Sequence, residues 1–199
     1  MDEMKPAAIL YEELDRTLWI TKHSRYNASH RLKRKNTLSI YSISILSVYV
    51  IAITLVAKYE FQVISTNLYD YASIVLALFI LVISLTEASK NYMVSSERMF
   101  VCGNEIRDLL DELKKYAKKS DAECAGLEQL SCKYSSILKS CPENHDTIDF
   151  EFHKAQHYAD FKGMNWYISQ WYKLKYYLDI YWFYTLLIVL PPLIFLISI

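Results

Sequence analysis

The residue types that could do chemistry crowd most closely at Cys141-Pro142-Glu143-Asn144-His145-Asp146, with Asp149 one turn further on. An imidazole among carboxylates could hold a metal ion or move protons as a general acid or base. The same residues also make an ordinary start to a helix. Proline ends the helix before it, Asn144 and Asp146 are good caps for the next, and the histidine would be hydrogen-bonded in the turn. The structural reading is preferred, because nothing else in the chain completes an active site. There is no glycine-rich phosphate loop, no nucleophile elbow and no HExxH pair. The chain is therefore not expected to be an enzyme. No catalytic residue, cofactor or metal ligand is assigned, and Glu143, Asn144, His145 and Asp149 stand as a corner of unknown role.

The cysteines, Cys102, Cys124, Cys132 and Cys141, contain no CxxC pair and have no histidine at zinc-finger spacing. They fall in a stretch expected in the cytosol, where disulfides are rare. They are expected to be small buried apolar residues.

Two further constellations concern a membrane. From Arg16 to Asn36 there is no acidic residue, and the block closes on Arg31, Lys33, Arg34 and Lys35. Directly after it, Thr37–Ala57 is an uncharged run of 21 residues, long enough to span a bilayer, which takes about 20. Basic residues beside a span resist translocation and attract anionic lipid head groups, so Arg31, Lys33, Arg34 and Lys35 are expected to hold this end in the cytosol. Direct nucleic-acid binding is not expected, since the block abuts a span and has few interleaved aromatics. Lys+Arg and Asp+Glu also balance at 22 each. Within the span, Ser44, Ser47 and Thr54 recur near one stripe. Small hydroxyl residues there serve as helix–helix contacts or line a wet pore in an oligomer.

The elements that must position these residues follow from the rest of the pattern. Tyr71–Thr86 is a second uncharged run and Ile180–Ile199 a third, of 20 residues. Glycine occurs three times and proline four times in 199 residues, which favours long helices and short turns. The chain reads as an all-α membrane protein. Residues 1–36 form a basic cytosolic N-terminal helix with Leu10, Leu14 and Leu18 on one face. Residues 37–86 form a transmembrane hairpin, with spans of about 37–57 and 69–88. A cytosolic helical region covers 87–178, and a C-terminal transmembrane helix covers 179–199, kinked at Pro191-Pro192. The second span is expected to continue unbroken to residue 119. Along it Met99, Cys102, Ile106, Leu109, Leu113 and Tyr116 step by three and four, the spacing of a coiled-coil seam. Ser120–Glu123 reads as a capping box, and Leu127, Leu130, Tyr134, Ile137 and Cys141 repeat the seam, so the two helices should pack antiparallel. A third helix is expected from Thr147, interrupted near Gly163. Dense aromatics from Tyr158 to Tyr184, with Lys173 and Lys175, read as an interfacial belt before the third span. No cleavable signal peptide is expected, because the first run is too deep and too long for one. With the basic block in the cytosol, the loop after the first span and the C-terminus fall outside.

The order of parts resembles a known family. A basic block ending Arg31-Leu32-Lys33-Arg34-Lys35 leads into Leu46-Ser47-Val48-Tyr49-Val50-Ile51. A second span runs into Glu97-Arg98-Met99, and Tyr134…Ile137-Leu138 leads to Glu143-Asn144-His145 and Asp149. Over about residues 10–160 this resembles the SLATT family, the SMODS- and SLOG-associating two-transmembrane effectors, and within it the branch associated with reverse transcriptases. The resemblance implies a bacterial anti-phage effector in the inner membrane. It would be a homo-oligomer that waits on a genomically linked sensor, nucleotide-signal or reverse-transcriptase protein, and then breaches the membrane in abortive infection. It gives the corner no catalytic role. The third span departs from a plain two-span pattern. The rival expectation is a non-conducting anchor or scaffold for a partner complex.

Overall fold

The structure, a computed structural model, describes residues 6–58, 66–116 and 124–197. Among these residues the elements are helical and no strand occurs. They are α1 (Pro6–Lys58), α2 (Thr66–Ser89), α3 (Tyr92–Leu113), α4 (Cys124–Ser140), α5 (Thr147–Gln156), a 3-10 turn (Tyr158–Asp160) and α6 (Trp166–Ile197). Three of them are long and apolar enough to cross a membrane. The all-helical reading holds, with three corrections to its elements.

The first correction is at the N-terminus. The basic helix and the first span are a single helix of 53 residues, because no glycine or proline follows Pro6 before Gly103 to interrupt it. The second span, by contrast, does not run on. α2 stops at Ser89, and Asn91 adopts a left-handed backbone, φ 47°. Asparagine tolerates that conformation better than other non-glycine residues. The Lys90 and Asn91 N–H groups turn back to the carbonyls of Glu87 and Ala88, satisfying two otherwise orphaned acceptors of a helix end. The third correction is to the seam, whose helix ends at Leu113 and leaves Tyr116 beyond it. Lys118, Lys119 and the Ser120–Glu123 capping box lie outside the described residues. The interruption expected near Gly163 is present: α5 ends at Gln156, Gly163 has φ 81°, and α6 opens at Trp166.

The described residues divide into two compact units, one built from those up to Leu32 with Met93–Tyr176, the other from Lys33–Tyr92 with those from Tyr177 on. In the first unit, the α3 seam meets the α4 seam as anticipated. Tyr116 lies over Gly126, Glu112 pairs with Lys133 at 2.8 Å, and Cys102 reaches Cys141. One helix's numbers rise as the other's fall, so the pair is antiparallel. The pair is not alone, however. Leu14 and Leu18 of α1 are buried in the same cluster as Cys102, Ile106, Leu109, Leu113, Leu127 and Leu130, with Leu10 and Tyr11 packed beside them. The core is three-helical, and each leucine it removes from water contributes about 1.5–3 kcal/mol. Close approach of α1 to α3 needs Gly103, where a Cβ would lie 2.7 Å from the Tyr26 ring.

The second unit packs Leu46 of α1, Ile83 of α2, and Tyr184 and Leu187 of α6. Large apolar residues such as Val75, Leu78, Val82 and Leu85 face outward, as lipid-facing residues do. Both prolines sit inside α6. A proline has no N–H, so Pro192 leaves the Ile188 carbonyl, four residues back, without its helical donor. The Tyr49 hydroxyl of α1 donates to that carbonyl at 3.2 Å. A neighbouring helix thus repairs the broken ladder where water is excluded. Tyr49→Phe is expected to cost about 1 kcal/mol in detergent unfolding. The cost should shrink in a Pro192→Ala background, where residue 192 supplies its own N–H; equal costs in both backgrounds would contradict this role.

Candidate functional site

The corner after α4 is a clamp on α1. Arg25 is only 3% exposed. Its guanidinium donates to the Glu143 carbonyl, to Asn144 Oδ1 at 3.3 Å and to the Met99 sulfur at 3.3 Å. One helical turn and a half further on, Arg31 meets α5. Its Nε donates to Asp149 Oδ1 at 2.8 Å and its Nη2 to Asp149 Oδ2 at 2.9 Å and to Asp146. This is the bidentate geometry in which arginine binds carboxylate best. Asp149 is fully buried and also accepts the Asp146 backbone N–H at 3.0 Å, starting α5. Between the two arginines, Asn27 donates to the Asp149 carbonyl, and its own carbonyl accepts the Tyr176 hydroxyl at 2.8 Å. Tyr176 in turn stacks on Phe152, with centroids 3.9 Å apart. The glutamate side chain of the corner reaches Arg98 of α3 at 3.0 Å.

Glu143, Asn144 and Asp149 are therefore brought together by what they hold. His145 is not hydrogen-bonded through its ring as the capped-turn reading expects. Its Nδ1 is buried without a partner, while its backbone N–H meets Asn144 Oδ1. Burial, and then the Arg25 charge, lower its pKa below the ordinary histidine value, which keeps the ring neutral. Among the described residues no three His, Cys, Asp or Glu side chains converge to hold a metal ion.

The four basic residues expected at the membrane surface separate. Arg31 is committed to Asp149, and Lys35 pairs with Asp179 at 2.8 Å. Lys33 and Arg34 are exposed, the latter over the Tyr177 ring at 5.9 Å. The cysteine expectation is overturned at three positions: Cys102 and Cys141 are joined as a disulfide, and Cys132 is exposed. The seam spacing itself brought the two bonded sulfurs together, since each ends a matching heptad step.

A histidine group escaped the sequence reading. His23 of α1 and His153 and His157 of α5 and its end lie with ring centroids 4.9–5.6 Å apart. Trp19 meets His153 edge-on at 4.5 Å, and Phe161, stacked on Trp19, meets it at 5.7 Å. The only linear signal was two pairs at helical spacing, Trp19/His23 and His153/His157, which names a face and no partner. His153 is fully buried, and neither ring nitrogen has a hydrogen-bond partner. Burial, then His23 and His157, push its pKa down to about 3. The unfolded chain takes up this proton below about pH 6.5 and the folded chain only near pH 3, so stability is full above pH 6.5 and is lost as the pH falls toward 3. Between pH 7.5 and 5 this one residue should cost about 2 kcal/mol. His153→Leu should flatten that part of the melting-temperature profile. An unchanged profile would show that the ring is solvated.

In the span unit, Ser44, Ser47 and Thr54 share the outer surface of α1, and each hydroxyl donates to its own backbone four residues back, to Ile40, Ile43 and Val50. The inward face carries Ser39, Ser42 and Leu46 instead. Where α2 ends, Glu87 is buried among the helices. It accepts the Tyr184 hydroxyl at 2.7 Å, pairs with Lys90 at 2.5 Å, and is hydrogen-bonded by Ser39. All three spans thus meet at one carboxylate.

Among the described residues, three helices are long and apolar enough to cross a membrane, as a membrane protein requires. The chain belongs to the SMODS and SLOG-associating 2TM effector domain family 5, whose profile matches residues 10–197. The third apolar helix, expected to depart from the family pattern beyond residue 160, lies inside that match. No curated protein and no solved structure matches the chain significantly.

Proposed function

We propose that this chain is the membrane effector of a bacterial anti-phage system. It oligomerises in the inner membrane and opens a pore when a genomically linked sensor acts on it, arresting the infected cell. The N-terminus faces the cytoplasm and the C-terminus the outside. The sensor, a nucleotide-signal or reverse-transcriptase protein, engages the α3–α4 pair. The change is a shift in population between a closed and an open packing of the spans. The observation that carries this reading is the placement of Ser44, Ser47 and Thr54 on the outside of the span unit. Within a protomer these hydroxyls bond their own helix's backbone, and a ring of copies would turn them toward a shared wet axis. Glu87 supports it too, since an ionisable group among spans marks function more often than stability.

The second reading, a non-conducting anchor for a partner complex, is favoured by the backbone bonds of the same hydroxyls, which leave them satisfied against lipid. Ser44→Leu with Ser47→Leu separates the two. Loss of toxicity, with membrane insertion intact, is expected for a pore. Retained toxicity would remove these residues from its lining.

A further inference from the structure

We propose that Cys102 and Cys141 are a redox-reactive pair whose state decides whether the 141–149 corner is locked to α3. The bond ties Cys102, 1% exposed in the three-helix core, to Cys141 at the end of α4, across 39 residues of sequence. Cys141 immediately precedes the corner, whose other ties are polar: Glu143 and Asn144 to Arg25, Glu143 to Arg98, Asp146 and Asp149 to Arg31, and the Asp149 carbonyl to Asn27. One covalent link therefore fixes the end of a segment that otherwise depends on charge and hydrogen bonds. On the cytosolic side proposed above, disulfides are usually transient and serve catalysis or redox sensing.

The two sulfurs are unequal. Cys141 is half-buried and Cys102 is in the core. A cellular dithiol would attack Cys141 Sγ as its thiolate. The S–S bond breaks, the electron pair leaves on Cys102 Sγ, and that thiolate takes a proton. The dithiol's second sulfur then attacks the mixed disulfide and releases Cys141 as a thiol. The dithiol is oxidised to its own disulfide, and the protein gains two electrons and two protons. Reduction leaves the corner held by its arginine contacts and the Asn27 hydrogen bond, so α5 and the α1 segment from Arg25 to Arg31 loosen together. Cys132, exposed and unbonded, serves as an internal control for alkylation.

The test uses the full chain, purified in detergent without reductant and equilibrated in mixtures of reduced and oxidised dithiothreitol. Free thiols are alkylated and mapped by mass spectrometry, and amide exchange over 141–149 is followed with the melting temperature. One two-electron transition is expected, assigned to a cross-linked 102–141 peptide. Reduction should speed exchange in the corner and lower the melting temperature by roughly 5–15 °C. Cys141→Ser should behave as the reduced wild type and ignore dithiothreitol. The wild-type titration stands by itself if that variant fails to fold. Both cysteines alkylated at every poise, or equal exchange in the oxidised and reduced chain, would overturn the proposal. None of these readouts depends on conduction, so a failure here is distinct from a failure of the pore reading.

Discussion

Asp149→Ala is expected to destabilise the first unit by about 3–5 kcal/mol, the usual cost of orphaning one member of a buried ion pair. Arg31 is 5% exposed and Asp149 fully buried, so neither charge has water to fall back on. Asp146, whose side chain is 68% exposed, keeps its contact to Arg31 and offsets part of the loss. The mutation also removes the acceptor for the Asp146 N–H at the start of α5. A double replacement, Arg31→Met with Asp149→Leu, should cost far less than the sum of the single changes, because no charge is left stranded. Thermal or urea unfolding of the purified chain measures each corner of that cycle. Additive costs would mean that the pair is solvated and does not clamp α1.

The second large effect concerns Glu87. Glu87→Leu removes the acceptor of Tyr184, which is 3% exposed, and the partner of Lys90. Tyr184 is then left to the neighbouring Tyr92 hydroxyl, and losing a bond to a charged acceptor costs about 1–3 kcal/mol. With the ion pair lost as well, a total of about 2–4 kcal/mol is expected in detergent unfolding. Glu87→Gln keeps an acceptor for Tyr184 and loses only the charge, so its cost should be near 1 kcal/mol, since Lys90 can still reach water. If both substitutions cost the same, the carboxylate is held by its charge alone and the Tyr184 bond contributes nothing.

Much of the architecture was legible in the chain because membrane spans and helical seams are patterns of one element at a time. Uncharged runs gave the three long apolar helices, and three-four steps gave the faces of α3 and α4. What escaped was decided between elements. Leu10, Leu14 and Leu18 announced an apolar face on α1, but nothing in their spacing said that it completes the α3–α4 core. The Glu-Asn-His corner was visible as a place, while its use depends on Arg25 and Arg31, residues more than a hundred positions away, of which the charge pattern assigned Arg31 to the membrane surface. The break at Asn91 was hidden because neither glycine nor proline marks it. His153 was invisible for the same reason: two helical histidine pairs acquire meaning only when α5 lies on α1. The disulfide was argued away on compartment grounds, although the matching seams had already placed its two cysteines at corresponding ends.

Membrane potential, followed with a voltage-sensitive dye in cells expressing the chain alone and with its genomic neighbours, tests the central claim most directly. Rapid depolarisation on triggering is expected, abolished by Ser44→Leu with Ser47→Leu. A steady potential while the cells still arrest would contradict it and leave the chain as an anchor for whatever does the killing.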